Sequence, residues 1–511
     1  MLKPRGTQDR VSLPLCCGGG QQDVRTVHGT RPLLIALLML LCLLTPPPAP
    51  TTAVDFDTVA ASLGRADTWH LLHAAPATPS TILPSAGPAS SSPALPTTVG
   101  ELEGEDLAPR AYLPLITSAP VPITELRAVW VTRFDWTTLE RTPRPEDVDT
   151  LVTNIASAGL NTIFFQIRAA GDAYYASDLE PWAARLTAGP VSTTLGVDPG
   201  WDPLAYMIER GHAAGLEVHA YVNVYPAWQS PPAGYGDLFP PATDPPQMFD
   251  RFTYGPHYEA HPGEHALGYT WRQYTAGSPP VPMAPSEGNY LWASPGVDLV
   301  NDHVLSVVTD IAERYAVDGI HLDLVRYAGP DYSYDPFSNA AAGTDPTAQR
   351  AQWQQERITG LVRRIYTTLS HVDTGDRSSM SVMGKSQERT LLSAAVWPSY
   401  TDGLTRYYQD SKGWLVTGAL DAIVPMLYGS YADQPDNWQA LMHDFLDDSQ
   451  GRPVYPGIGV TADFDAIAWR IRTAREAGAQ GHALFSYGNL NAYGHWQALA
   501  AGPYLTSASP P

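Results

Sequence analysis

Gly319-Ile-His-Leu-Asp-Leu-Val-Arg-Tyr327 is the stretch that decides the fold. Side chains along a strand alternate between its two faces. Ile320, Leu322 and Leu324 fall on one face, and His321 and Asp323 on the other. A strand with one aliphatic and one polar face suits a closed parallel barrel. There the outer face meets helices, and the inner face meets substrate near the C-terminal end.

The preceding β-rich runs repeat the pattern. In Glu217–Tyr225, Val218, Ala220, Val222 and Val224 read as outward, and His219, Tyr221, Asn223 and Tyr225 as inward. In Asn161–Arg168, Ile163, Phe165 and Ile167 read as outward and Gln166 and Arg168 as inward, with Gly171 and Asp172 following at the strand's mouth. Further strand candidates are Arg127–Arg133, Met380–Gly384, Ala422–Tyr428, Val454–Val460 and Gly481–Tyr487. Amphipathic stretches lie between them at Asp147–Ala158, Pro203–Ala214, Val297–Tyr315, Thr347–Ser370, Pro435–Asp448 and Phe464–Ala477. This alternation predicts an α/β fold, a (β/α)8 TIM barrel over residues 125–505. A doubly wound open sheet would carry a Gly-rich phosphate loop after its first strand, and Arg127–Trp136 has none. Long loops after strands 3 and 4, Pro226–Ser294 and Ala328–Asp345, leave C-terminal strand ends and are expected to wall the substrate groove.

Upstream, residues 1–53 read as an export signal region. The apolar run Leu33–Leu44 is too short to span a bilayer and suits a secretory core, so no stable membrane span is expected in the mature form. Residues 54–124 hold a short segment and a linker rich in Pro, Ala, Ser and Thr. The expected location is therefore secreted or associated with the cell envelope. Cys16, Cys17 and Cys42 all precede the barrel, so neither a disulfide, a thiolate zinc site nor a cysteine nucleophile is expected within it.

Composition narrows the partners. The 511 residues carry 31 Lys+Arg against 52 Asp+Glu, a formal charge of -21 that repels phosphate backbones, so nucleic acid is excluded as a partner. The 14 Trp and 26 Tyr offer flat faces on which sugar rings stack.

Strands 2 to 4 thus bring Arg168, Asp172, His219, Asn223, His321, Asp323 and Arg326 to one sector. Cleaving a glycosidic bond takes a proton donor and a second carboxylate that attacks or activates water. Asp323 and Asp172 are the catalytic candidates. Arg168, His219, Asn223, His321, Arg326, Trp397, Tyr428 and Tyr487 are the candidate substrate-binding residues. No metal or other cofactor is expected. His321-x-Asp323 with His219 leaves a metal-dependent deacetylase or amidase open, and a glycan-binding barrel without catalysis is a further alternative.

The chain also resembles a known family, the glycosyl-hydrolase-like family 10 of exported bacterial barrels. The matching residues are Glu125-Leu-Arg-Ala-Val-Trp-Val131, Gly159-Leu-Asn-Thr-Ile-Phe-Phe-Gln-Ile-Arg168, Gly171-Asp-Ala-Tyr-Tyr175 and Glu180-Pro-Trp182. They continue in Asp198-Pro-Gly-Trp-Asp-Pro-Leu204, Leu216-Glu-Val-His-Ala-Tyr-Val-Asn223, Val317-Asp-Gly-Ile-His-Leu-Asp323, Arg326-Tyr327, Ile423-Val-Pro-Met-Leu-Tyr428 and Phe485-Ser-Tyr487. The resemblance implies a TIM barrel with glycosidase-type activity on a polysaccharide or peptidoglycan-type glycan. It also implies that Asp172, His219, Asn223, His321 and Asp323 are pocket residues. Leu324 departs from it, since many relatives have a second acid there.

Overall fold

The computed structural model of the protein describes residues 123–254, 271–272, 279–372 and 389–511. The expected signal region and linker, residues 1–124, lie outside these except for Ile123 and Thr124, which form a short strand. Eight strands form a closed barrel, all neighbours parallel: β1 Leu126–Val131, β2 Thr162–Arg168, β3 Glu217–Asn223, β4 Gly319–Asp323, β5 Leu391–Val396, β6 Ala422–Leu427, β7 Gly457–Gly459 and β8 Gly481–Phe485. They follow one another around the ring in chain order, and β8 pairs with β1 to close it.

One strand differs from the expectation. The fifth is Leu391–Val396, whereas Met380–Gly384 lies outside the described residues. Leu391-Leu-Ser-Ala-Ala-Val396 lacks the β-branched alternation of its neighbours, and its small residues suit a crowded barrel interior.

Alternation divides the core in two. Ala128, Trp130, Phe164, Tyr221, Ala395, Val424 and Ala483 pack inside the barrel. Val129, Ile163, Phe165, Val218, Val222, Ile320, Leu322 and Leu324 face the surrounding helices. Trp130 is the large plug of the interior, with Phe164, His321 and Phe485 edge-on at 5.4, 5.7 and 5.8 Å. Gly457 makes room for it, since a Cβ there would sit 3.1 Å from the indole.

The helices bury one stripe each. Helix α1 (Pro145–Ser157) buries Val148, Leu151, Val152 and Ile155 at helical spacing. Helix α2 (Pro203–Ala213) starts at Asp202, whose side chain accepts from the Leu204 and Ala205 amides at 3.0 Å. Helix α3 (Asp298–Arg314) buries Val300, Val304, Val307, Val308 and Ile311. Among the described residues no helix is long and apolar enough to cross a membrane.

Three short pairings lie outside the barrel among the described residues, one of them the antiparallel pair Trp271–Arg272 and Val281–Pro282. In the insertion after β3, Pro226–Gln229 and Tyr290–Trp292 form an antiparallel ribbon. At the opposite, N-terminal end of the barrel, Ile123–Thr124 pairs in parallel with Ala508–Ser509.

Candidate functional site

Asp323 is the last residue of β4 and stands level with Asn223, the last of β3. One rung below are Tyr221, His321 and Ser393 on three adjacent strands. Tyr221 Oη donates to Asp323 Oδ2 at 2.6 Å, and the Leu324 amide donates to Oδ1 at 2.6 Å. Both carboxylate oxygens therefore accept. Burial pushes the carboxyl of Asp323 up, against the Tyr221 hydroxyl, the Leu324 amide and the positive charge of Arg326. Leu324 adopts φ 51°, the left-handed region that costs a side-chain-bearing residue about 1–2 kcal/mol.

His321 supports this pair from below. Trp130 Nε1, which can only donate, lies 2.9 Å from His321 Nε2, so that nitrogen accepts and Nδ1 carries the proton, 2.9 Å from Ser393 Oγ. The ring stacks on Phe164 at 4.0 Å, and burial holds its pKa well below the ordinary value. His321 is a neutral brace with both nitrogens engaged, neither a metal ligand nor a substrate contact as it stands.

Arg326 lies beside this column with its guanidinium 5.1 Å from the Trp292 ring, 5.1 Å from Trp397 and 4.9 Å from Tyr407. Trp397 thus faces the site, as a wall of the arginine's cage. Tyr428 stacks on Phe485 at 4.9 Å and meets Trp130 edge-on at 6.4 Å, which leaves it partly exposed at the end of β6.

Asp172 belongs to a neighbouring cavity of about 550 Å³, walled by loops that leave β1, β2 and β8 and by the ribbon. Arg133, Asp135, Tyr174, Arg185 and Trp228 line it with Asp172. Asp172 Oδ1 accepts from the Ala170 amide at 2.8 Å, and burial pushes its carboxyl up against the opposing charge of Arg133. Asp135 accepts from the Thr132 amide at 2.6 Å, yet burial outweighs this and raises its carboxyl to about 7. The cavity adjoins the Asp323 column through Asn223, whose Nδ2 donates to Ala169 O at 2.9 Å.

Four expectations are corrected. Arg168 does not face the barrel interior. A bulge between Gln166 and Arg168 puts it level with outward-facing Val222, where it forms a buried two-pronged pair with Glu180 at 2.6 and 2.7 Å. Tyr487 faces outward too, accepting from Asn154 on α1 at 2.8 Å. Tyr225 donates to Asn301 on α3, because the strand pattern stops at Asn223. His219 is inside but two rungs below the mouth, level with Gly319, and its ring nitrogens have no hydrogen-bond partner among the described residues.

The sequence pattern does not mark Tyr221, Trp130, Arg133 or Asp135 as site residues. Tyr221 stood in the inward register, but a tyrosine in an apolar run reads as core. Arg133-Phe-Asp135 follows the first strand directly, and that position at a C-terminal strand end was the available signal.

The sequence matches a family described as Glycosyl hydrolase-like 10 over residues 125–229 and 274–462. Similar proteins include the glycosyl hydrolase YngK of Bacillus subtilis (strain 168), 25% identical over 360 residues that span 66% of this chain and 61% of YngK. The glycosyl hydrolase DigH of Escherichia coli (strain K12) is 24% identical over 342 residues, 62% of this chain and 68% of DigH. Among solved structures, the PgaB (BpsB) glycoside hydrolase domain from Bordetella bronchiseptica superposes with a TM-score of 0.49 at 14% identity, covering 74% of this chain and 98% of that domain. The chain spans about three-fifths of YngK's length.

Proposed function

Because this chain belongs to the glycosyl hydrolase-like 10 family, we propose that it is a secreted or envelope-associated glycoside hydrolase that cleaves O-glycosidic bonds in a polysaccharide or cell-envelope glycan, with Asp323 as its central carboxylate. The observation that carries this reading is the setting of Asp323 at the barrel mouth. Both of its oxygens accept hydrogen bonds, from Tyr221 and from the Leu324 amide. Those two bonds favour the ionised carboxylate that attack or activation of water requires, against the burial that raises the carboxyl.

Asp172 is its proposed partner, the proton donor. Its Oδ2 has no hydrogen-bond partner among the described residues, and burial favours its protonated form. A raised carboxyl in a shielded cavity is what protonation of a leaving oxygen requires near neutral pH. Tyr428, partly exposed at the end of β6, supplies an aromatic face for a sugar ring.

The test is release of reducing ends from a panel of defined polysaccharides and peptide-free peptidoglycan strands. Asp323→Asn is expected to lower the rate about 10²–10⁴-fold with an unchanged thermal unfolding midpoint. Undiminished release by that variant would remove Asp323 from the chemistry. Binding without any release by the native protein would leave a glycan-binding barrel instead.

A further inference from the structure

The cavity beside Asp323 contains two arginines, the buried Arg133 and the half-buried Arg185, neither of which has a carboxylate within ion-pair distance among the described residues. Arg133 donates to Gln166 Oε1 at 3.0 Å, Gln229 Oε1 at 2.7 Å and Tyr290 Oη at 2.7 Å. Arg185 donates to Thr137 Oγ1 at 2.9 Å and to Thr137 O at 2.7 Å, and its Nη1 has no hydrogen-bond partner among the described residues. Every one of these acceptors is neutral. Neither guanidinium is ion-paired among the described residues, in contrast to buried Arg168, paired with Glu180, and Arg127, paired with Glu125; buried Arg350, by comparison, donates to the carbonyls of Gly343 and Ser333. A buried charge without a partner is costly, and neutral side chains that fix its orientation without cancelling it are the mark of a site prepared for an anion.

A second observation points the same way. Tyr174 lines the same cavity, its side chain is wholly buried, and its hydroxyl has no hydrogen-bond partner among the described residues. Asp135 and Asp172 share the cavity, but burial pushes both carboxyls toward the neutral form while arginine stays charged.

We propose that this cavity is a subsite for a carboxylate-bearing sugar, with Arg133 and Arg185 holding the carboxylate and the Tyr174 hydroxyl donating to it. The proposal rests on the glycoside hydrolase reading for the word sugar, and on the cavity alone for the word carboxylate. A hexuronate and a lactyl ether are two forms in which a sugar carries such a group.

Binding by calorimetry to full-length Asp323→Asn protein tests this without turnover. The probes are oligosaccharides containing glucuronate and oligosaccharides containing muramate, each compared with its carboxyl-reduced alcohol. At least one acid is expected to bind tenfold or more tightly than its alcohol, and the arm that shows the preference identifies the source. Arg185→Ala is expected to abolish the preference. Tyr174→Phe removes only the hydroxyl and is expected to reduce the preference several-fold with binding of the alcohol unchanged, which guards against a folding defect in the arginine variant. Equal affinity for acid and alcohol in both arms overturns the subsite, as does a preference that survives Arg185→Ala. Reducing-end release from the alcohols by the native protein is read separately. Cleavage without any acid preference would retain the hydrolase and discard the subsite, and an acid preference without cleavage of either form would do the reverse.

Discussion

Tyr221 and Asp323 occupy neighbouring strands, and the 2.6 Å bond between them is the most direct control on the protonation of the site. The hydroxyl donates to the carboxylate and so favours its ionised form, against the burial that raises it. Tyr221→Phe removes that bond. The carboxyl of Asp323 then rises further, and the acid limb of the kcat/KM profile for glycan cleavage is expected to move up by about one pH unit, since a hydrogen bond to a charged group contributes about 1.5 kcal/mol. An acid limb that stays put would mean that Asp323 is not the group titrating there. Much of this column was legible in the sequence. Alternation in Gly319-Ile-His-Leu-Asp323 put His321 and Asp323 on the inner face, and Asn223 with them. Alternation says which way a side chain points, but it does not reveal its partners. Only the structure joins His321 to Trp130 and Ser393 and so makes it a neutral brace.

At the scale of elements, β2 departs from its own pattern. The bulge after Gln166 turns Arg168 out of the barrel and into a buried cluster with Glu180 and His303 of α3, the latter 2.8 Å from Glu180 Oε1. One extra residue in a strand leaves no mark on an apolar–polar pattern, so the sequence placed Arg168 one face wrong. The cluster ties a barrel strand to the loop that follows it and to a helix of the outer layer. Glu180→Gln leaves the guanidinium buried with its charge uncompensated. It is expected to lower unfolding free energy by about 3–5 kcal/mol in urea titrations, and a change below about 1 kcal/mol would show the cluster to be incidental. The ribbon after β3 is the second element the sequence left open. It reaches both sides of the mouth, giving Gln229 and Tyr290 to Arg133 and Trp292 to Arg326. Loop length flagged Pro226–Ser294 as a wall of the groove. The pairing that makes its two ends a clamp on two arginines joins residues about sixty positions apart, beyond the reach of any local pattern.

Across the whole molecule, the barrel is fastened at the end opposite its mouth. Glu125 bonds to Arg127 at 2.7 Å and to Arg475, near the end of the helix Phe464–Glu476, at 2.7 and 2.9 Å. Its amide donates to Ser509 O at 2.9 Å, and Arg127 donates to Thr506 O at 2.8 Å. Burial alone would raise the carboxyl of Glu125, but the bonds from Arg475 and Arg127 and the charges around it hold it down at about 2. A carboxyl depressed below its unfolded value of about 4.5 stabilises the fold above that pH, and the contribution is lost as pH falls through about 2. Native protein and Glu125→Gln are therefore expected to differ by roughly 2–3 kcal/mol in unfolding free energy at pH 6, with the gap closing between about pH 4.5 and 2. A gap that is constant across this range would exclude Glu125 as the acid-sensitive latch. Eight βα units were legible as a barrel because each outer face is aliphatic, yet nothing in Glu125 itself announces that it joins the first strand to the last residues of the chain.

The parallel pairing of Ile123–Thr124 with Ala508–Ser509 has a practical consequence. The segment entering the barrel and the segment leaving it lie side by side at its floor, with the whole height of the strands between them and the mouth. A tag or a bead coupled through either segment therefore takes hold from below. Immobilised in that way, the barrel would present its open face outward to an insoluble polymer too large to diffuse around it.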